Sequence, residues 1–202
     1  MQHVLFINLR RATACRTDSL NAIIGPRPIG WIASQDAEGQ RNLAPYSFFN
    51  CFNYRPPIIG FASSGWKDSV RNIVETKEFV WNLATRPLAM AMNETSASIP
   101  HHEDEFVRAG PHRRRQPPGQ RSPGRGESGE LLSAVCRSVF NSPPPTATPV
   151  DTWLVLGEVV AVHIDESLLD NGIYQTARAQ PILRAGGPST YYGIDDSLRF
   201  DT

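Results

Sequence analysis

A chain of 202 residues is enough for about one domain. Its 20 Lys and Arg are balanced by 20 Asp and Glu, so the overall charge gives no reason to expect nucleic acid or an anionic membrane as partner. No apolar run reaches the roughly 18 residues of a membrane-spanning helix.

Residues 1–19 carry weak periodicity. The apolar stretch Val4 to Leu9 precedes its arginines, the reverse of a secretory signal. Cys15, Cys51 and Cys136 are odd in number and widely spaced, which fits a reducing compartment. A cytoplasmic protein is expected, with a single domain over residues 20–202.

Ala22 to Ser34 reads as a strand entered through a turn at Gly25-Pro26-Arg27-Pro28. Asp36-Ala37-Glu38-Gly39 is a hairpin signal, and Asn42 to Phe52 follows as a second strand. After Pro56-Pro57, Ile58 to Ala62 is a short buried strand. Val70, Ile73 and Val74 then recur at helical spacing, with Asp68 or Ser69 as the cap. Glu78 to Leu83 is strand-like, and Arg86 to Thr95 reads as a helix with Leu88 and Met92 inward. Trp153 to Ile164 is a long strand whose Leu154, Leu156, Val160, Val162 and Ile164 share one face. Hairpins and short crossovers without β-α-β alternation predict a mainly β barrel or sandwich with peripheral helices.

Ser63-Ser64-Gly65-Trp66-Lys67-Asp68-Ser69 is the most informative loop. It places three hydroxyls, a glycine, a lysine and the first amides of a helix at one point, a composition suited to phosphate. An ordinary helix start with a solvated lysine would read the same way. In Asn42 to Asn50, strand alternation puts Ser47 and Phe49 on one face, Phe48 and Asn50 on the other. Aromatics mixed with small polar groups suit a flat ring edged with hydrogen-bonding atoms, and equally a core strand. His101-His102-Glu103-Asp104-Glu105 reads as a solvated acidic helix start rather than a metal site. His163 lies in an apolar strand. Nothing matches G-x-S-x-G, H-E-x-x-H, a Walker loop or G-x-G-x-x-G, so a nicotinamide would have to bind without a Rossmann unit.

Gly25 to Ser34, Asn42 to Asn50, Pro56-Pro57, Lys67 to Ile73, Phe79 to Leu83, Ala91 to Ser96 and Leu156 to Val160 with His163 and Asp165 occur in an order that resembles one known family. It is the flavin reductase-like family of FMN-binding split-barrel proteins, which includes flavoredoxin. The resemblance spans roughly residues 20–110 and 149–192. It implies a mainly β, Greek-key split barrel with short flanking helices, assembled as a homodimer with FMN near the interface. The cofactor-binding residues it implies are Arg27, Pro28, Ile29, Ala33, Ser34, Ser47, Phe48, Phe49, Asn50, Ser63, Ser64, Lys67, Asp68 and Ser69. His163 would be a contact on the nicotinamide or flavin side. The implied activity takes reducing equivalents from NADH or NADPH through FMN to free flavin or another acceptor, with no obligatory protein acid or base and no metal. The alternative within the same resemblance is an FMN electron carrier that serves a redox partner protein and has no nicotinamide site.

Residues 111–148 break the resemblance. They hold six Arg, seven Pro and four Gly, and only Leu131 to Val135 is apolar enough to join a core. A flexible insertion, a divergent lid and a reading-frame change all account for that composition. Back-translation of Pro111 to Glu130, read one base later, permits LTAAASRLVSAPRVAESPVN, which resembles the family's own continuation. Pro143 to Ala147 read two bases later permits AADGN. A frame change therefore predicts that the coding DNA spells these strings in the shifted frame. Resequencing checks it, and codons that forbid them overturn it.

Overall fold

Turn residues cut the chain into short strands, and the computed structural model places them as follows. It describes residues 18–97, 99–100, 103–108, 131–140, 150–187 and 189–200. Helix α1 (Asp18–Ile23) leads into β1 (Arg27–Pro28), β2 (Gly30–Gln35), β3 (Arg41–Tyr46), β4 (Phe49–Tyr54) and β5 (Pro57–Ser64). Helix α2 (Asp68–Thr76) and β6 (Glu78–Asn82) follow, then a 3-10 turn (Arg86–Leu88) running into α3 (Ala89–Glu94), and the short α4 (Glu105–Arg108). Two long strands, β7 (Leu131–Phe140) and β8 (Thr152–His163), precede the small β9 (Leu169–Asp170), β10 (Ile173–Tyr174), β11 (Ile182–Arg184) and β12 (Tyr191–Gly193).

Seven strands form one antiparallel sheet in the order β3-β2-β6-β7-β8-β5-β4. Its two edges, β3 and β4, are consecutive in the chain and separated only by Ser47 and Phe48. Three residue steps reach about 11 Å at most, so the sheet must roll until its edges nearly meet. The edges do not pair with each other, which leaves the barrel split at that seam. Strand β1 pairs with β11, and β11 with β12, in a separate small sheet.

The interior of the rolled sheet is filled by Ile32, Tyr46, Phe49, Ile59, Phe61, Phe79 and Val155, together with Val70 and Ile73 from α2. Alternation along β2 sends Trp31 and Ala33 to the other side, where they pack with Leu43, Val80, Leu88, Met92 and Phe106 beneath α3 and α4. Gly30 is what lets Phe49 lie on β2, since a Cβ there would sit 2.9 Å from the Phe49 ring.

The hairpin at Asp36 to Gly39 forms as its residues predict: Gly39 takes φ +84°, and Asp36 Oδ1 accepts from the Gln40 amide at 2.8 Å. Other expectations need correction. The first strand does not start at Ala22, because Ala22 and Ile23 end α1 and the strand proper begins at Gly30. Asn42 to Phe52 is two strands broken at Ser47-Phe48, because the chain crosses there from one sheet edge to the other. Along β8 the core face is that of Trp153, Val155 and Val159. Val160 and Val162, on the face shared with Leu154, Leu156 and Ile164, are more than half exposed; both faces of this strand are apolar, so periodicity alone does not say which one is buried. Within residues 111–148, Leu131–Phe140 forms β7 at the middle of the sheet, registered against both β6 and β8. The rest of that segment lies outside the described residues.

Phe61 has no exposed surface, and its ring lies 4.4 Å from Tyr46 and 5.8 Å from Phe79. Phe61→Ala should cost about 3–5 kcal/mol, read as a lower urea midpoint with an unchanged slope.

Candidate functional site

The loop between β5 and α2 is held rather than free. Gly65 takes φ +90°, a conformation that L side chains rarely adopt, and donates its amide to the Asp151 carbonyl at 2.8 Å. Asp151 also accepts from Trp153 Nε1 at 2.9 Å, and Trp153 meets Trp66 edge-on at 4.5 Å between centroids. Ser63, fully buried, donates to the Gly65 carbonyl at 2.9 Å. Helix α2 then begins at Lys67 with no side-chain cap. The expected cap does not form: Asp68 pairs with Arg71 at 2.9 Å, and Ser69 Oγ accepts from Asn42 Nδ2 at 2.7 Å.

This helix start opens on a cleft of about 250 Å³. Lys67, Asp68 and Ser69 form one wall, and Asn42, Ala44 and Tyr46 of β3 another. Thr95, Ser96, Ala97 and Ile99 after α3, with Pro45 of β3 and Glu105 of α4, complete it. Two hydrogen bonds tie α2 to the sheet behind the cleft, Asn42 to Ser69 and Asn72 Nδ2 to Ser34 Oγ at 3.4 Å.

None of the remaining predicted residues lines this cleft; several of them meet instead at the β3–β4 bend. Arg27 donates from Nε to the Ser47 carbonyl at 3.0 Å and from Nη1 to the carbonyls of Asn21 and Ile24. Its guanidinium lies 5.4 Å from the centre of the half-exposed Phe48 ring. The Phe48 carbonyl accepts from Ala62 N at 2.9 Å, which joins the bend to the residue before Ser63. Asn50 is exposed and accepts from the Cys51 amide, and Ser64 is exposed. Pro28 is half-buried in β1, opposite Leu183. Ile29, Ala33 and Phe49 are core residues whose side chains face the interior. His163 is half-buried at the end of β8 and does not line the cleft.

Tyr46, Thr95, Ser96 and Glu105 are site residues that the sequence reading missed. Glu105 overturns the expectation of a solvated acidic helix start, being only 8% exposed. Asp104 is the partner of Arg41, whose guanidinium also lies 4.9 Å from the centre of the Phe106 ring. His101 and His102 lie outside the described residues. Among the described residues no group of three or more His, Cys, Asp or Glu could hold a metal ion, and no helix is long and apolar enough to cross a membrane.

Burial pushes the Glu105 carboxyl above its ordinary range, with Asp68 and Asp104 adding to the rise. Burial likewise raises the Tyr46 hydroxyl, and the hydroxyls of Ser69 and Ser63 partly oppose it. A carboxyl whose folded pKa is raised binds its proton more tightly folded than unfolded, so stability is greatest below its unfolded pKa and falls as pH rises through the folded one. Glu105→Gln should remove that component. Urea unfolding across a pH series is expected to show a smaller loss of stability above the ordinary carboxylate range in the variant than in the parent.

The model of the flavin reductase like domain matches residues 25–183. An uncharacterised protein of Aquifex aeolicus is 30% identical over 176 residues, 82% of this chain and 83% of that one. Among solved structures, nitrilotriacetate monooxygenase component B from Bacillus cereus superposes with a TM-score of 0.86 at 28% identity, covering 100% of both chains. The 2-nitrobenzoate 2-nitroreductase of Pseudomonas fluorescens gives 0.81 at 25% identity, over 98% of this chain and 96% of that one. With a split barrel observed and a family match running from the turn before β1 into β11, the chain belongs to the flavin reductase-like domain family.

Proposed function

We propose that this protein is an FMN-dependent oxidoreductase that takes electrons from NADH or NADPH and passes them to free flavin or another acceptor. The observation that carries the reading is the uncapped start of α2, where Lys67 and Ser69 face a cleft of mixed polar and apolar lining. A helix start offers amide donors and the positive end of its dipole, and Lys67 adds the formal charge that a phosphate needs. Gly65 holds the turn that keeps the loop backbone open to that group.

The residues present fit the cofactor on a second count. Glu105 Oε2 is buried at the cleft without a hydrogen-bond partner, as expected of a site shaped for a polar ligand. The half-exposed Phe48 ring at the bend would offer the flavin an aromatic face. Bound FMN would supply the hydride and electron chemistry itself. Lys67 and Ser69 would bind its phosphate, and Arg27 would hold the bend rather than touch phosphate. Two relatives whose names denote a nitroreductase and a monooxygenase component support a reductive role.

A homodimer is part of the same proposal. Phe48, Phe52, Tyr54, Val160 and Val162 are each at least half exposed, and apolar surface of that kind fits burial against a second copy.

Purified protein should be yellow, and NADH or NADPH should bleach it under anaerobic conditions. Lys67→Ala should weaken FMN about tenfold, or about 1.4 kcal/mol, in a fluorescence titration. A colourless protein that binds no FMN overturns the reading. Bleaching only by a reduced protein partner would assign an electron carrier instead.

A further inference from the structure

Strand register sets two arginines side by side. Arg27 of β1 stands opposite Arg184 of β11, and Arg184 stands opposite Tyr191 of β12. Residues directly opposite in antiparallel strands share a face, with Cβ atoms about 4.5–5.5 Å apart. One face of the small sheet therefore carries Arg27, Arg184 and Tyr191 in a row. Its Arg27 end meets the β3–β4 bend, where the guanidinium lies against Phe48 and donates to the Ser47 carbonyl.

Like charges directly opposite destabilise a sheet, and no carboxylate among the described residues pairs with either arginine. Arg27 donates to three carbonyls, which satisfy hydrogen bonds but carry no formal charge. The Arg184 guanidinium has no hydrogen-bond partner among the described residues and lies over the Tyr191 ring, 4.9 Å from its centre. Contact with a ring occupies one face of a guanidinium and leaves its N–H donors uncommitted. Both arginines are half-buried, where charge is screened less than on an open surface. A threonine at position 184 would suit the strand and avoid the repulsion. What the arginine adds is a fork of donors and a second positive charge, the combination that receives two oxygens of one carboxylate or phosphate.

We propose that Arg184, flanked by Arg27 and Tyr191, is an oxyanion-binding subsite on the β1–β11–β12 sheet, taking the carboxylate or phosphate group of a small molecule that reacts at the β3–β4 bend. The anion site itself follows from the arginine pair. Only its service to a flavin at that bend rests on the FMN reading.

Calorimetric titration of the purified protein with benzoate, a carboxylate, and with ADP, a phosphate, tests the subsite and tells the two sources apart. At least one probe should bind the parent. Arg184→Gln should weaken that probe about tenfold or more, the worth of a charge-assisted pair. Arg184→Lys, which keeps the charge and loses the fork, should fall between. Lys67→Ala should leave the affinity unchanged, which separates this subsite from the start of α2. The melting temperature of Arg184→Gln should be unchanged or higher, because a like-charge contact has been relieved. A parent that binds neither probe overturns the inference. So does an affinity that Arg184→Gln leaves unchanged, or one that Lys67→Ala lowers as much as Arg184→Gln does. A fluorescence titration with FMN on the same samples keeps the two readings distinct: a parent that binds a probe through Arg184 and no FMN would remove the flavin reading and leave the anion site standing.

Discussion

The two edges of the seven-stranded sheet are joined by a bend of two residues, and the geometry of the site follows from that constraint. Ser47 and Phe48 must bridge β3 and β4 across the split of the barrel. Arg27 fixes the bend by donating to the Ser47 carbonyl, and Ala62 fixes it again through the Phe48 carbonyl. Because Ala62 directly precedes Ser63, the bend and the loop leading to α2 are held as one unit. Arg27 also reaches Asn21 and Ile24, so the segment ahead of the barrel is tied to the same point. An arginine committed to three carbonyls positions structure, and its charge is a poor candidate for direct ligand contact.

The seam between α2 and the sheet divides two tasks. Val70 and Ile73 bury apolar surface in the barrel interior, a non-directional attraction that holds the helix down without fixing its rotation. Asn42 to Ser69 and Asn72 to Ser34 are buried and directional. Each contributes only about 0.5–1.5 kcal/mol net, yet together they set the angle at which the helix start faces the cleft. Apolar replacements could keep α2 packed while losing that aim. This is why Ser34, Asn42, Ser69 and Asn72, all nearly or fully buried, are polar at positions where a barrel needs only volume.

The parts legible in the sequence were those governed by local chemistry. The Asp36–Gly39 turn, the periodicity of α2 and the concentration of hydroxyls, glycine and lysine at its start are properties of a few adjacent residues. The break at Ser47-Phe48 is hidden in the sequence because no turn residue marks it; it shows only in the burial, where Tyr46 and Phe49, three apart, both face the interior. The core face of β8 was hidden because both of its faces are apolar, and only the closure of the sheet decides between them. Arg27 and Lys67 look alike in sequence as cations near a turn. Their different surroundings, three carbonyls for one and a cleft mouth for the other, depend on contacts with distant residues.

Glu105 was the least legible, and its burial follows from its neighbour. Just before α4, Asp104 pairs with Arg41 of β3 and accepts from the Phe106 amide at 2.9 Å, while Phe106 enters the core with Trp31 and Leu43. Those two anchors fix the short helix against β3 on either side of residue 105. The intervening side chain has no freedom to swing into solvent, so its carboxyl is carried into the cleft wall, where burial raises its pKa. A leucine at this position would fold as well, without the desolvation cost. A fold that buries a carboxyl with one oxygen unpartnered between two strong anchors is using stability gained elsewhere to keep a hydrogen-bonding group at the cleft, a departure from packing economy that belongs to functional sites.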